Sequence, residues 1–476
     1  MPDADLLFRG AHLADGSGAV PLKGDLAVRD GRIVAMGDCT GWRAATTIEA
    51  DGLWLAPGFI DVHTHDDRLL TDDPSMAAKT SQGVTTVVTG NCGVSVAPLG
   101  PGELPEPILD LARHFRFERF ADWMAHREAN PAATNVACLV GHSSLRVAAM
   151  SEIDRPATTA ERETMRAFCR EALDAGAIGL SSGLFYKPAQ PAPWEEVAEL
   201  VAEIGAVGGI YTAHIRDEGD TVLDAIDEAC RIAEAGSARL VISHHKVAGK
   251  ANFGRSAETL ARIEAAMARQ PVGFDVYPYV AGSSLLSAEL AGIAGRTIVT
   301  WSDPRPDAAG RDLADLAAEM GLSIAEAVDR LKPGGATYFM MDEADVRRIL
   351  AHPDAMIGSD GIDGPHPHPR LWGTFPRVLG HYARDLGLFP MADAVRRMTA
   401  LSAERFGLAG RGRLAEGFHA DLVLFDPAAI ADAASFERPA VPSHGIIGTW
   451  VNGLRVWDGL SPTGARPGAL LRRGDG

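Results

Sequence analysis

The chain has 476 residues, 46% hydrophobic and 23% charged, with a formal net charge of −18. That acidic balance argues against a general nucleic-acid binder, which would carry a basic stripe. No apolar run approaches the roughly 20 residues of a membrane span, and five scattered cysteines make a disulfide framework an unattractive reading.

The N-terminus, "MPDADLLFRG", lacks the basic region and apolar core of a secretory leader, so a cytoplasmic protein is expected. The first 55 residues read as short strands punctuated by Gly and Asp: "ADLLFRGAHLAD", "GDLAVRDGRIVAMGD" and "ATTIEADGLWLA". The same texture returns in "GRLAEGFHADLVLFDP" and "GTWVNGLRVWDG" near the other end. Residues 1–55 and 412–476 are therefore expected to build one small β-sandwich, which also keeps the two ends of the chain close.

Between them, apolar β-rich runs alternate with helical ones. "GFIDVHTH", "GVTTVVTGNCG", "NVACLVGH", "AIGLSSGL", "GIYTAHIRDE", "RLVISHHK", "VGFDVYPY" and "AMIGSD" are eight candidate strands. Stretches such as "TAERETMRAFCREALDAG" and "WEEVAELVAEIGAVG" separate many of them with helical periodicity. Alternation of this kind implies a parallel sheet, and eight units imply a TIM-like (β/α)8 barrel over 56–411. An open doubly wound sheet would want a glycine-rich phosphate turn after its first strand, and none is found there. About seventy residues separate "DVYPY" from "AMIGSD", more than one crossover needs. Residues 284–345 are read as a small inserted subdomain, helical after a proline-rich entry and covering the active site.

In a barrel, chemistry gathers at the carboxyl ends of the strands. There the sequence places His63 and His65, then Cys92, His214, His244 with its neighbour His245, and Asp360. Each is separately explicable as a core histidine, a buried cysteine or a turn former. Together they form a set of imidazole, thiolate and carboxylate, the ordinary ligands of zinc. His63, His65 and Asp360 can hold one ion, and His214 and His244 another, with the Cys92 thiolate between them. Asp360 is the candidate for moving a proton from the attacking water to the leaving nitrogen.

These residues resemble the amidohydrolase superfamily, whose usual opening is "PGFIDVHTH" and whose usual close is a strand-eight Asp. The chain is similar, almost end to end, to the D-aminoacylase (N-acyl-D-amino-acid deacylase) family. "GNCGVSVAP", "GLSSGLFYKPA", "ISHHKVAGKANFGR", "DVYPYVAGSS" and "HPHPRLWGTFPRVLG" carry that resemblance. It implies a zinc enzyme that hydrolyses N-acyl-D-amino acids, with a tight zinc on Cys92, His214 and His244. It places a second, weaker site on His63, His65 and Asp360. Many relatives in the superfamily bridge two metals with a carboxylated lysine on strand four. Here "GLSSGL" holds no lysine before Lys187, which is consistent with a thiolate bridge.

The resemblance also assigns Lys246, Tyr277, Ser283 and Arg370 to the α-carboxylate of the substrate. The chemistry agrees, since a guanidinium binds a carboxylate in a bidentate fashion. Arg296 is a further candidate for an acidic substrate side chain, and His142 for a substrate contact. Each has an ordinary reading as well, Arg296 as a surface charge and His142 as a core-end histidine. Alternative functions are another amidase of the superfamily, acting on a cyclic amide or a dipeptide, and a noncatalytic metal-binding barrel. The expected partner is a small-molecule substrate, with no nucleic acid and no membrane. The sequence does not settle oligomeric state or side-chain preference.

Overall fold

The fold is taken from a computed structural model, which describes residues 3–108, 112 and 115–474. Eight parallel strands form its centre: β1 (Phe59–Asp61), β2 (Val84–Thr89), β3 (Asn135–Gly141), β4 (Gly179–Gly183), β5 (Ile210–His214), β6 (Arg239–Ile242), β7 (Val272–Val276) and β8 (Ala355–Ile357). They pair in chain order from β1 to β8. Nearly every residue in them is buried, as expected of strands covered on both faces. Inside the barrel, Ile60, Val88, Leu139, Ile178, Val241 and Met356 share one apolar cluster. Helices close the outer face. One of them, Thr159–Asp174, starts on a capping box, with Thr158 and Glu161 satisfying each other's backbone N–H groups.

The barrel closes at its carboxyl end, just past β1 and β8. Thr64 and Gly361 form a parallel bridge. The Asp360 N–H donates to the His63 carbonyl at 2.8 Å, and the His65 N–H to the Gly361 carbonyl at 3.1 Å. The seam of the barrel is thus built from the residues that carry its candidate ligands.

Both chain ends contribute to a second sheet, a single one of eight strands, while Leu470–Leu471 pairs with β3 of the barrel. Its strands are Ala4–Leu13, Leu22–Arg29, Arg32–Gly37, Ala44–Glu49 and Trp54–Pro57, with Leu422–Phe425, Ile446–Val451 and Leu454–Trp457. Two of its hairpins turn on Asp30-Gly31 and Asn452-Gly453, all four residues at positive φ. That is the signature of the tight turn matching strand twist. An apolar layer of Phe8, Leu26, Val28, Leu55, Leu424 and Trp450 backs the sheet.

The segment between β7 and β8 differs from the sequence expectation in one respect. It is not mainly helical. Ala281–Leu285, Arg296–Ser302 and Gly334–Phe339 form a three-stranded antiparallel sheet, and the helices Leu313–Met320 and Ile324–Leu331 lie between its last two strands in the chain. The β-branched run "TIVT" favours a strand, but its partners lie far off in sequence and leave no local signal. No helix among the described residues is long and apolar enough to cross a membrane.

Candidate active site

Two groups of potential ligands share one atom. His63, His65, Cys92 and Asp360 form the first, and Cys92, His214 and His244 the second. Within each group the ligand atoms all lie within 4.8 Å of one another. The Cys92 Sγ lies 3.3 Å from the His63 Nε2 and 3.4 Å from the His244 Nε2. One Asp360 oxygen lies 3.3 Å from the His65 Nε2 and 3.6 Å from the His63 Nε2.

The backbone is bent to achieve this. Cys92, His244 and Asp360 have φ of +53°, +36° and +50°. Few non-glycine residues adopt this region, and strain of this kind persists where the surroundings enforce it. Each of the three stands where the chain leaves a barrel strand and turns sharply into a loop. Glycines make the turn around Cys92 possible. Gly93 has φ +77°, and a Cβ on Gly183 at the end of β4 would lie 2.1 Å from the Cys92 carbonyl oxygen. That close approach leaves no room for a long side chain at the end of the fourth strand.

The charged groups of the cluster perturb one another strongly. Burial opposes protonation of His63, His65 and His244, but the Cys92 charge, with Asp275 at His63 and Asp360 at the other two, raises the pKa of all three. Burial opposes ionisation of Cys92, but His63 and His244 outweigh it and hold the thiol well below its ordinary pKa. Burial lowers the pKa of His214 and keeps its ring neutral, the form that binds a metal. Neither of its buried ring nitrogens has a hydrogen-bond partner of proper geometry among the described residues. Such orphaned polar atoms are costly unless something not yet present satisfies them. The donor set and these bare nitrogens fit zinc.

Carboxylates stand behind the histidines. His244 presents its Nε2 to Cys92 while its Nδ1 lies 3.0 Å from Glu218. His63 does likewise, with its Nδ1 3.5 Å from Asp275. Asp275 also accepts the His244 N–H at 2.9 Å, so one carboxylate serves both groups. Partners of this kind fix ring orientation and tautomer. Below them, the buried Lys79 donates to Asp61 and Ser359, both at 2.8 Å, and lies 3.3 Å from Asp66. Sequence reasoning missed Glu218, Asp275 and Lys79. Their signal was slight: a charge inside the apolar run "VGFDVYPY", and a carboxylate four residues beyond His214.

The cleft above has two lobes. One, with an empty volume of about 570 Å³, contains His214, His244 and Asp360 together with Lys246, Tyr277 and Arg370. Lys246 bonds to Glu218 and lies 2.7 Å from the His244 Nδ1. Arg370 pairs with the second Asp360 oxygen at 2.8 Å. The two cations flank the Tyr277 ring, 5.6 and 4.6 Å from its centroid. The buried Tyr277 hydroxyl and the buried Arg370 Nε have no hydrogen-bond partner among the described residues. Ser283 lines both lobes. So does Tyr186, which sequence reasoning quoted within a motif but gave no role. Burial first, then the charges of Cys92 and Asp360, push the Tyr186 phenol well above its usual pKa.

Two other candidates fall elsewhere. His142 is fully buried and meets Glu196 at 3.0 Å, and Glu196 also pairs with Arg146. It lines neither lobe, because the helix that it begins carries its ring toward the neighbouring helix. Arg296 is half exposed, pairs with Asp312 at 3.0 Å and lies over Phe339. It too lines neither lobe.

Known proteins resemble this chain over nearly its whole length. A D-aminoacylase from Alcaligenes xylosoxydans xylosoxydans is 54% identical over 474 residues, covering 98% of each chain. An N-acyl-D-aspartate deacylase from the same organism is 50% identical, covering 99% of this chain and 96% of its own. A solved D-aminoacylase, described for a binuclear metal centre with one-metal activation and second-metal attenuation, superposes with a TM-score of 0.96 at 50% identity. The match covers 99% of this chain and 100% of that one. An N-acyl-D-glutamate deacylase from Bordetella bronchiseptica, complexed with zinc and a phosphonate mimic of the tetrahedral intermediate, also gives 0.96, at 43% identity over 98% and 99% of the two chains. The amidohydrolase family profile matches residues 46–457, and with relatives this similar over almost their whole length the chain belongs to the amidohydrolase family.

Proposed function

We infer that the chain hydrolyses the amide bond of N-acyl-D-amino acids, releasing a carboxylate and a free D-amino acid, and that it uses zinc. Its nearly full-length relatives carry this activity in their names, and one solved relative holds zinc. The observation on this chain that carries the reading is a pair of buried cations, Lys246 and Arg370, beside the candidate metal ligands. Burying two cations is costly unless anions meet them. Glu218 and Asp360 supply part of that need, and the substrate α-carboxylate supplies the rest. A simple hydantoin brings no such anion, because its amino-acid carboxyl is a carbonyl of the ring.

Roles follow from position. Cys92, His214 and His244 would hold the tight zinc, and His63, His65 and Asp360 the weaker one, with Cys92 shared. Zinc held there supplies Lewis acidity, polarising the amide carbonyl and easing deprotonation of water. Arg370, Lys246, Tyr277 and Ser283 hold the carboxylate and fix the amide above the ligands. Asp360 accepts a proton from water and passes it to the leaving nitrogen. Tyr186 keeps its proton and stands between the lobes, where it can donate to the carbonyl oxygen as charge builds. Glu218 and Asp275 hold the imidazoles in place. Residues 284–345 act as a wall and cover, since Leu285, Thr300 and Trp301 line the wider lobe.

The test is initial-rate hydrolysis of matched N-acetyl-D- and N-acetyl-L-amino acids, with hydantoins as the cyclic controls. Turnover of the D-series alone is expected. Preferential cleavage of hydantoins or of the L-series would overturn the reading.

A further inference from the structure

The preceding reading leaves the interior of the wider lobe without an occupant, and its chemistry differs from that of the clamp. It has an empty volume of about 880 Å³ and opens from His65 and Cys92. Beyond the shared Tyr186, Ser283 and Ser284, its wall is largely apolar: Leu69, Val94, Leu285, Trp301, Ile362 and Pro367. The charges at its rim answer each other. Arg68 lies 3.7 Å from the Asp363 carboxylate and donates to the Asp363 carbonyl at 3.3 Å.

We propose that this lobe is an acyl-chain site, and that the enzyme prefers medium-length apolar N-acyl groups over N-acetyl. The proposal rests on the deacylase reading above. An amide carries its two halves on opposite sides of the scissile bond. The amino-acid half brings a carboxylate, which the Lys246 and Arg370 lobe attracts. The acyl half must then leave in the other direction, past His65 and Cys92, into the apolar lobe. An acetyl methyl fills little of that space. Each further methylene leaves water for an apolar wall, a gain that scales with the area covered. Among the described residues of the wall a charged acyl terminus finds no free cation, because Arg68 is engaged by Asp72 at 3.4 Å as well as by Asp363.

The experiment measures kcat/KM for D-leucine carrying formyl, acetyl, butanoyl, hexanoyl and succinyl groups. D-leucine suits the clamp lobe, which also presents Phe185, Leu290, Ile293 and Met340. The expected result is a rise of about threefold per added methylene, and at least tenfold from acetyl to hexanoyl. Succinyl should fall below butanoyl. Filling the lobe with Leu285→Trp should reduce the hexanoyl-to-acetyl ratio. A flat or falling series, with N-acetyl-D-leucine still hydrolysed, overturns the acyl-site proposal and leaves the deacylase reading standing. Failure to hydrolyse any member moves the same acyl series onto the D-amino acid hydrolysed best in the preceding test, and failure on every D-amino acid overturns both.

Discussion

Replacing Lys79 with methionine should weaken the whole molecule through one buried charge. Lys79 and Asp61 are fully buried, and Asp66 nearly so. The Lys79 ammonium lies 2.8 Å from Asp61 on β1 and donates to Ser359, the residue before Asp360. The Ser359 N–H also donates to Asp61 at 2.8 Å. Asp66 lies farther from the ammonium, at 3.3 Å, so Asp61 is the carboxylate that most needs the lysine. Methionine fills the space but leaves that carboxylate without its cation. Breaking a buried pair in this way costs about 3–5 kcal/mol. For 476 residues the unfolding entropy is about 1 kcal/mol per kelvin, so Tm should fall by about 3–5 °C. Scanning calorimetry measures this directly. The double variant Lys79→Met with Asp61→Asn, which removes both charges, should recover most of the loss. The zinc content of Lys79→Met should fall as well, because the cluster pins the seam from which His63, His65 and Asp360 project. A Tm within about 1 °C of the parent, or a double variant no better than the single one, would refute the reasoning.

Asp360→Asn keeps the shape of the side chain but cannot accept a proton, and turnover should fall about a hundredfold or more in steady-state kinetics. Arg370→Ala should lower kcat/KM for an N-acetyl-D-amino acid by about a hundredfold, with a much smaller loss on the matching C-terminal amide, whose carboxylate is already neutralised. Glu196 bears on acid stability. Burial disfavours its charge, but His142 and Arg146 outweigh that and lower its carboxyl from 4.5 to about 2. The native state therefore binds fewer protons there than the unfolded chain. The stability advantage of the parent over Glu196→Gln should be full above about pH 4.5 and vanish as the pH falls toward 2, which urea midpoints across that range would show.

The barrel was legible because its strands are short apolar runs set at helical intervals. Its candidate ligands stood out because His63, Cys92, His214, His244 and Asp360 each end one of those runs. Once the strand ends are known to meet, their proximity follows from topology. The Asp-Gly and Asn-Gly hairpins were legible for a local reason as well, since two residues dictate the turn. What escaped notice depends on contacts between distant segments. Lys79 lies in "AAKTSQ" with no period to mark it, and its partners are 18 and 280 residues away. Asp275 is one charge within an apolar strand, whose purpose appears only when His63 and His244, past the ends of β1 and β6, are seen to meet it. Arg296 lies sixteen residues from Asp312, across a loop whose path the sequence does not disclose. The sheet in the 281–339 segment was hidden for the same reason, because its first strand pairs with its last.

Zinc titration tests the central claim most directly. Chelator-treated protein should be inactive toward an N-acetyl-D-amino acid. Activity should return as zinc is added and reach its maximum at about one ion per chain, as the tight group of Cys92, His214 and His244 fills. Cys92→Ala should neither retain that ion nor regain turnover. Full activity in the metal-free protein, or a Cys92→Ala variant with normal zinc content and normal turnover, would contradict the assignment.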